Sequence, residues 1–159
     1  MNPDHLVEIF FRFYSDILDE ETTETVQGKV VEAEYGYFKL VNIPFYVPKL
    51  AVGDVVWAEH SKKEGLLTYR KTVQSSGNST IHTILLDDEY DIDAIIGVFE
   101  ELGCESRKMN DQYFAIDVPA KLDYVIVKRR LDELEQEKVI DYAESCLSDK
   151  HQYKDISFS

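Results

Sequence analysis

The residue types best placed for chemistry are the carboxylates crowded into one stretch: Asp87, Asp88, Glu89, Asp91, Asp93, Glu100, Glu101 and Glu105, with Tyr90 among them. No Lys or Arg lies between Lys71 and Arg107 to offset them. Counting Glu89 as position 1 places Asp91 at 3, Asp93 at 5 and Glu100 at 12, the ligand spacing of a calcium loop. Position 6, where that loop needs glycine for its sharp turn, is Ala94, and Ile95, Val98, Phe99 and Leu102 recur at helical spacing. A helix capped by Asp91, with acids favoured in its first turn, accounts for the same residues. No metal and no cofactor are expected. Paired carboxylates for acid–base work would have to come from this stretch, but nothing singles out a pair.

Other chemistry has less support. Cys104 and Cys146 read as small buried or half-buried apolar residues, since no histidine (His5, His60, His82, His151) stands at a spacing that ties it to either thiol. The chain contains no G-x-S-x-G elbow, H-E-x-x-H, P-loop or G-x-G-x-x-G. An enzyme is therefore not the expectation. Asn78-Ser79-Thr80 is a glycosylation sequon in form but reads as a polar turn entering a strand. Lys128-Arg129-Arg130 is interleaved with acids on an amphipathic helix and reads as a solvated face. The rings Tyr35, Tyr37, Phe38, Phe45, Tyr46, Trp57 and Tyr69 could stack on bases, yet a β core needs most of them and the surrounding charge is only slightly positive.

Charge is distributed unevenly within a net of −14. Residues 1–24 hold seven acids and one base, residues 25–86 five and seven, and residues 87–159 nineteen and nine. A localised negative field repels nucleic acid and anionic lipid and attracts basic partners. The longest apolar runs, such as Tyr124–Val127, fall far short of the roughly 18–20 residues of a membrane-spanning helix, so no membrane association is expected. Met1-Asn2-Pro3-Asp4-His5 lacks the basic and apolar regions of a secretory signal. A cytoplasmic, reducing location with unpaired cysteines is the expectation.

The elements that must position these residues fall into two patterns. Residues 1–78 are β-rich, with runs at His5–Phe13, Val26–Glu34, Tyr37–Tyr46, Val55–His60 and Leu66–Val73 and a turn at Tyr35-Gly36; they predict a small β-barrel or a curled antiparallel sheet. Gln74–Ser79 is the candidate boundary. Residues 79–148 read as strand Thr80–Leu86, a helix ended by Gly103, strands Cys104–Met109 and Tyr113–Val118, a helix opened by Pro119, and a strand over Lys138–Ser145. That β-α-β-β-α-β order predicts a ferredoxin-like half, giving an α+β protein overall. Residues 149–159 read as a frayed polar tail.

Three segments are familiar: Gly36–Tyr46 with its N-I-P-F, Leu50–Val56 with its G-D-x-V, and Ser76-Gly77-Asn78-Ser79-Thr80. In that order they resemble a bacterial family, domain of unknown function 4265, over roughly residues 25–145. The resemblance implies no catalytic residues. Read by themselves, Pro44 keeps Ile43 extended and Gly53-Asp54 turns the chain into the next strand, with a groove beside Asn42 and Pro44 as an alternative use.

Small size, absence of catalytic motifs and a concentrated negative face together predict a binding protein: a bacterial immunity protein that masks the basic active site of a cognate toxin, for instance a nuclease. Its contact surface would be Asp87, Asp88, Glu89, Asp91 and Asp93 with Tyr90 as an aromatic anchor, extended by Glu100, Glu101 and Glu105. The alternative is a ligand-sensing or regulatory module that binds a small molecule in the ferredoxin-like half or dimerises through residues 104–118.

Overall fold

The computed structural model describes residues 5–153. Five strands close into a barrel in the order β1(Leu6–Ser15), β2(Glu20–Glu32), β3(Tyr37–Leu40), β4(Val55–His60) and β5(Leu67–Gln74). Neighbours pair antiparallel except at the closure, where Phe10 of β1 meets Thr68 of β5 in parallel. Alternation decides the inside: Ile9, Phe11, Val26, Phe38, Leu40, Val56 and Ala58 fill the barrel with the loop residues Val47 and Leu50, while their strand neighbours face outward.

Four further strands form a second sheet in the order β7(Glu105–Lys108), β8(Tyr113–Val118), β6(Ser79–Leu85), β9(Ile140–Cys146), all antiparallel. Helices α1(Ile92–Glu101) and α2(Tyr124–Gln136) cover one face. Ile92, Ile95, Ile96 and Phe99 of α1 and Tyr124, Val127, Leu131 and Leu134 of α2 pack on Ile81, Leu85, Phe114, Ile116 and Val118. The architecture is α+β with an N-terminal barrel.

Several boundaries differ from expectation. β2 begins at Glu20, well before Val26, because the Thr-rich run Glu21–Thr25 pairs with Phe10–Tyr14. β3 ends at Leu40, not Tyr46: two prolines remove ladder donors, and residues 41–54 form an irregular loop whose polar groups bond elsewhere. Pro119 does not open α2. Asp123 is the N-cap, its side chain accepting from the Val125 amide, and Pro119 starts a turn in which its carbonyl accepts from Leu122 N. Residues 149–151 are not frayed but form a single 3-10 turn that buries His151; residues 154–159 of the expected tail lie outside the described residues.

The loop 41–54 joins the barrel to the face of the second sheet that the helices leave free. Arg107 donates to the Ile43 carbonyl (2.8 Å), His82 Nε2 to that of Pro44 (2.9 Å) and the Tyr113 hydroxyl to that of Phe45. Lys49 N bonds Ser145 O, and Thr80 Oγ1 bonds Leu50 O. From the barrel side, the Glu24 carboxylate accepts from the amides of Phe45, Tyr46 and Val47 at 2.7, 2.9 and 3.0 Å.

Candidate functional site

The acidic stretch lies along α1 and its flanks. Asp87–Asp91 form the loop from β6 into the helix, with Asp87 Oδ1 accepting from Glu89 N and Asp91 Oδ1 from Asp93 N as N-cap. Glu100 and Glu101 stand at the far end of α1, about 15 Å along the axis, and Glu105 opens β7. The expected surface therefore splits into two ends. Among the described residues, Asp93 alone of its eight carboxylates has a cationic partner, Lys108 Nζ at 3.0 Å. That exposed pair contributes little to stability but offsets the charge of Asp93.

The 87–93 end is concave. A cleft of about 600 Å³ lies between this loop and the β7–β8 hairpin turn, lined by Leu85, Asp88, Tyr90, Asp91, Ile92, Asn110, Asp111 and Gln112. Three carboxylates share an opening that no Lys or Arg lines, and Leu85, Ile92 and the half-exposed Tyr90 ring supply apolar surface. Such a site suits a cation carried on an apolar stem. The hairpin contribution was invisible in sequence because Asn110-Asp111 reads only as a turn; their place in the cleft follows from β8 pairing with β6, which sets the β7–β8 turn beside the end of β6, where Leu85 N donates to Gln112 O. No group of three or more Asp, Glu, His or Cys among the described residues is arranged to hold a metal ion.

Two other places carry catalytic residue types but are closed. The Ser79 hydroxyl lies 2.6 Å from His151 Nδ1, the contact expected of a nucleophile and its base. Both are buried, the opposite ring nitrogen donates to the Pro119 carbonyl, and Ser79 Oγ also accepts from Ser148 N. The pair pins the end of the chain to β6. Of the two thiols, Cys104 is buried and Cys146 part-buried, and burial pushes Cys104 up to about 12 and Cys146 up to about 11, which favours the protonated form over the thiolate.

The three familiar segments converge on the joint between the sheets. Ile43, Pro44 and Phe45 give up their carbonyls to it, with the Arg107 guanidinium 4.1 Å above the Phe45 ring. Asp54 accepts from Ala51 N and Ser76 N, while Ser76 Oγ and Asn78 Nδ2 both donate to the Val52 carbonyl. Asn78 Oδ1 accepts from Ala120 N. Pro44 is buried here and Asn42 donates to Gln27, so these residues stitch the molecule together.

Comparison with known proteins finds a family and a similar solved structure. The family model for the domain of unknown function DUF4265 matches residues 24–142, a span that contains all three segments. The crystal structure of a hypothetical protein from Neisseria gonorrhoeae is similar over 91% of this chain and 96% of its own, with 26% identity and a TM-score of 0.77. No curated protein matches the chain. No helix among the described residues is long and apolar enough to cross a membrane.

Proposed function

The chain belongs to the DUF4265 family, and from that premise we propose that it is a bacterial immunity protein, binding and neutralising a cognate toxin through the acidic surface at residues 87–93. The cleft carries this reading. Asp88, Asp91 and Asp111 would take a Lys or Arg side chain of the partner, and Tyr90, on the rim, would serve as the aromatic anchor. A toxin that acts on nucleic acid needs a basic cleft, and an acidic inhibitor both mimics phosphate and associates quickly. Glu100, Glu101 and Glu105 would contribute long-range attraction, not contact. The test is charge reversal of Asp88, Asp91 and Asp111 in binding to a partner captured from the native cell. The proposal expects a loss of at least about 100-fold in affinity, mostly at low salt; unchanged affinity and salt dependence would defeat it.

The arrangement of the second sheet supports a ferredoxin-like assignment: strand order β7-β8-β6-β9, all pairs antiparallel, and both helices on one face. The cleft volume favours a second reading, a sensor of a small cationic ligand, because about 600 Å³ lies within the range of small-molecule sites. Polyamines and basic amino acids raising the melting temperature, with no protein captured, would select it.

A further inference from the structure

The outer wall of the barrel carries a cluster of lysines beside aromatic rings, concealed by the whole-chain charge. Tyr37 and Lys39 of β3 face outward because Phe38 and Leu40 fill the core, and Trp57 of β4 faces outward between Val56 and Ala58. Pairing sets two rows across this wall: Lys29 opposite Lys39, and Tyr37 opposite Trp57, which is opposite Lys71. Tyr35, 62% exposed, adds a third ring 5.6 Å from Tyr37. Gly36, between the two tyrosines, backs onto the indole edge: a Cβ there would lie 3.3 Å from Trp57 Cδ1.

Like charges directly opposite on neighbouring strands destabilise a sheet, and Lys29 and Lys39 are such a pair. Among the described residues, none of the three lysines has a carboxylate within 4.0 Å. Glu32 stands opposite Tyr37 at the β2 end of the second row, Glu34 lies in the hairpin tip beyond it, and Glu59 is held by Arg70. We infer that this wall binds single-stranded nucleic acid, with bases stacking on Tyr35, Tyr37 and Trp57 and phosphates taken by Lys29, Lys39 and Lys71. Ammonium groups without carboxylate partners ask for an anion, and the rings beside them, Tyr35 exposed and Tyr37 and Trp57 part-exposed, ask for flat partners; a nucleotide chain supplies both in every residue. The crowded acids at 87–105 belong to the other sheet, and salt screens exposed charges beyond about 8 Å. This inference uses different residues from the toxin-binding proposal and does not depend on it.

Trp57 is the sole tryptophan, so its fluorescence reports on the wall directly. The full chain is titrated with oligothymidylate and oligouridylate of about ten nucleotides. Binding quenches Trp57, and three phosphate contacts make affinity fall about 20-fold between about 50 and about 200 mM salt. Lys29→Gln with Lys39→Gln relieves a repulsion, so the variant folds; its salt dependence shrinks to about threefold. Tyr35→Ala, at an exposed ring, costs about tenfold in affinity. Arg129→Gln with Arg130→Gln, basic residues of α2 outside the wall, leaves binding intact; a loss there would overturn the assignment to this wall. No quenching at low salt, an unchanged salt response in the double variant, or equal quenching by polyglutamate of matched charge would each also overturn it.

Discussion

Glu24 holds three consecutive amides of the loop that joins the two sheets, so its carboxylate settles the backbone of Phe45, Tyr46 and Val47 at once. Charge-assisted bonds of this kind are the strong ones, and leaving three amides without an acceptor is costly. Glu24→Ala is expected to lower unfolding free energy by about 3 kcal/mol in denaturant titration, with Glu24→Gln costing less because one acceptor oxygen remains. Two buried groups make the joint sensitive to pH. Burial lowers His82 from its ordinary 6.5 to about 4, although its bond to the Pro44 carbonyl favours the charged ring. Below 6.5 the unfolded chain takes the proton first, so this stabilising contribution, full above 6.5, drains as pH falls through about 4. Asp117 is the converse. It is 4% exposed, one oxygen lacks a hydrogen-bond partner, and burial, aided by the charges of Glu105 and Asp54, lifts it from 3.8 to about 7. Its contribution is full below 3.8 and is lost as pH rises through about 7. The two trends oppose each other over nearly one window. Asp117→Asn should therefore expose a stability that rises with pH between 4 and 7, by roughly 3 kcal/mol relative to the parent, and His82→Gln one that falls. Thermal unfolding across that range checks both signs.

Most elements were legible because their periods are strong. Val56 and Ala58 alternate with Trp57 and Glu59 as a barrel wall requires, and Ile95, Phe99, Val127, Leu131 and Leu134 recur at helical spacing and are buried. Asp91 was identifiable as a cap from sequence alone, whereas Asp123 was overlooked because Pro119 offered an earlier helix start. Residues 41–46 were misread for a physical reason: Val41, Ile43 and Phe45 alternate like a strand, and only partners more than fifteen residues away, among them Glu24, His82, Arg107 and Tyr113, show why they do not form one. The cleft was half legible, since its β6–α1 wall is a run of acids and its hairpin wall carries no comparable signal. Glycines test the element geometry from both sides. Gly36 has φ 71° and a Cβ there would lie 2.7 Å from the Ala58 carbonyl oxygen, so Gly36→Ala should cost about 2 kcal/mol or more. Gly97 lies in α1 with open space beside it, so Gly97→Ala should raise stability by about 0.5–1 kcal/mol. Chemical denaturation of the two variants measures this contrast.

For the whole molecule, net charge is a poor guide and its distribution a good one. The barrel wall with Lys29, Lys39 and Lys71 and the cleft with Asp88, Asp91 and Asp111 belong to different sheets, joined by a loop whose polar groups are satisfied across the joint. The three familiar segments maintain that joint. The central claim is that the cleft recognises a basic chain. Its most direct test is an amide chemical-shift map of the full chain titrated with an arginine-rich peptide, repeated with Asp88→Asn, Asp91→Asn and Asp111→Asn combined; asparagine at 91 still caps α1. The account predicts shifts concentrated at residues 85–93 and 110–112 that vanish in the triple variant. Shifts spread evenly over all acids, including Asp132, Glu133 and Glu135 on α2, or unchanged by the three substitutions, would contradict it.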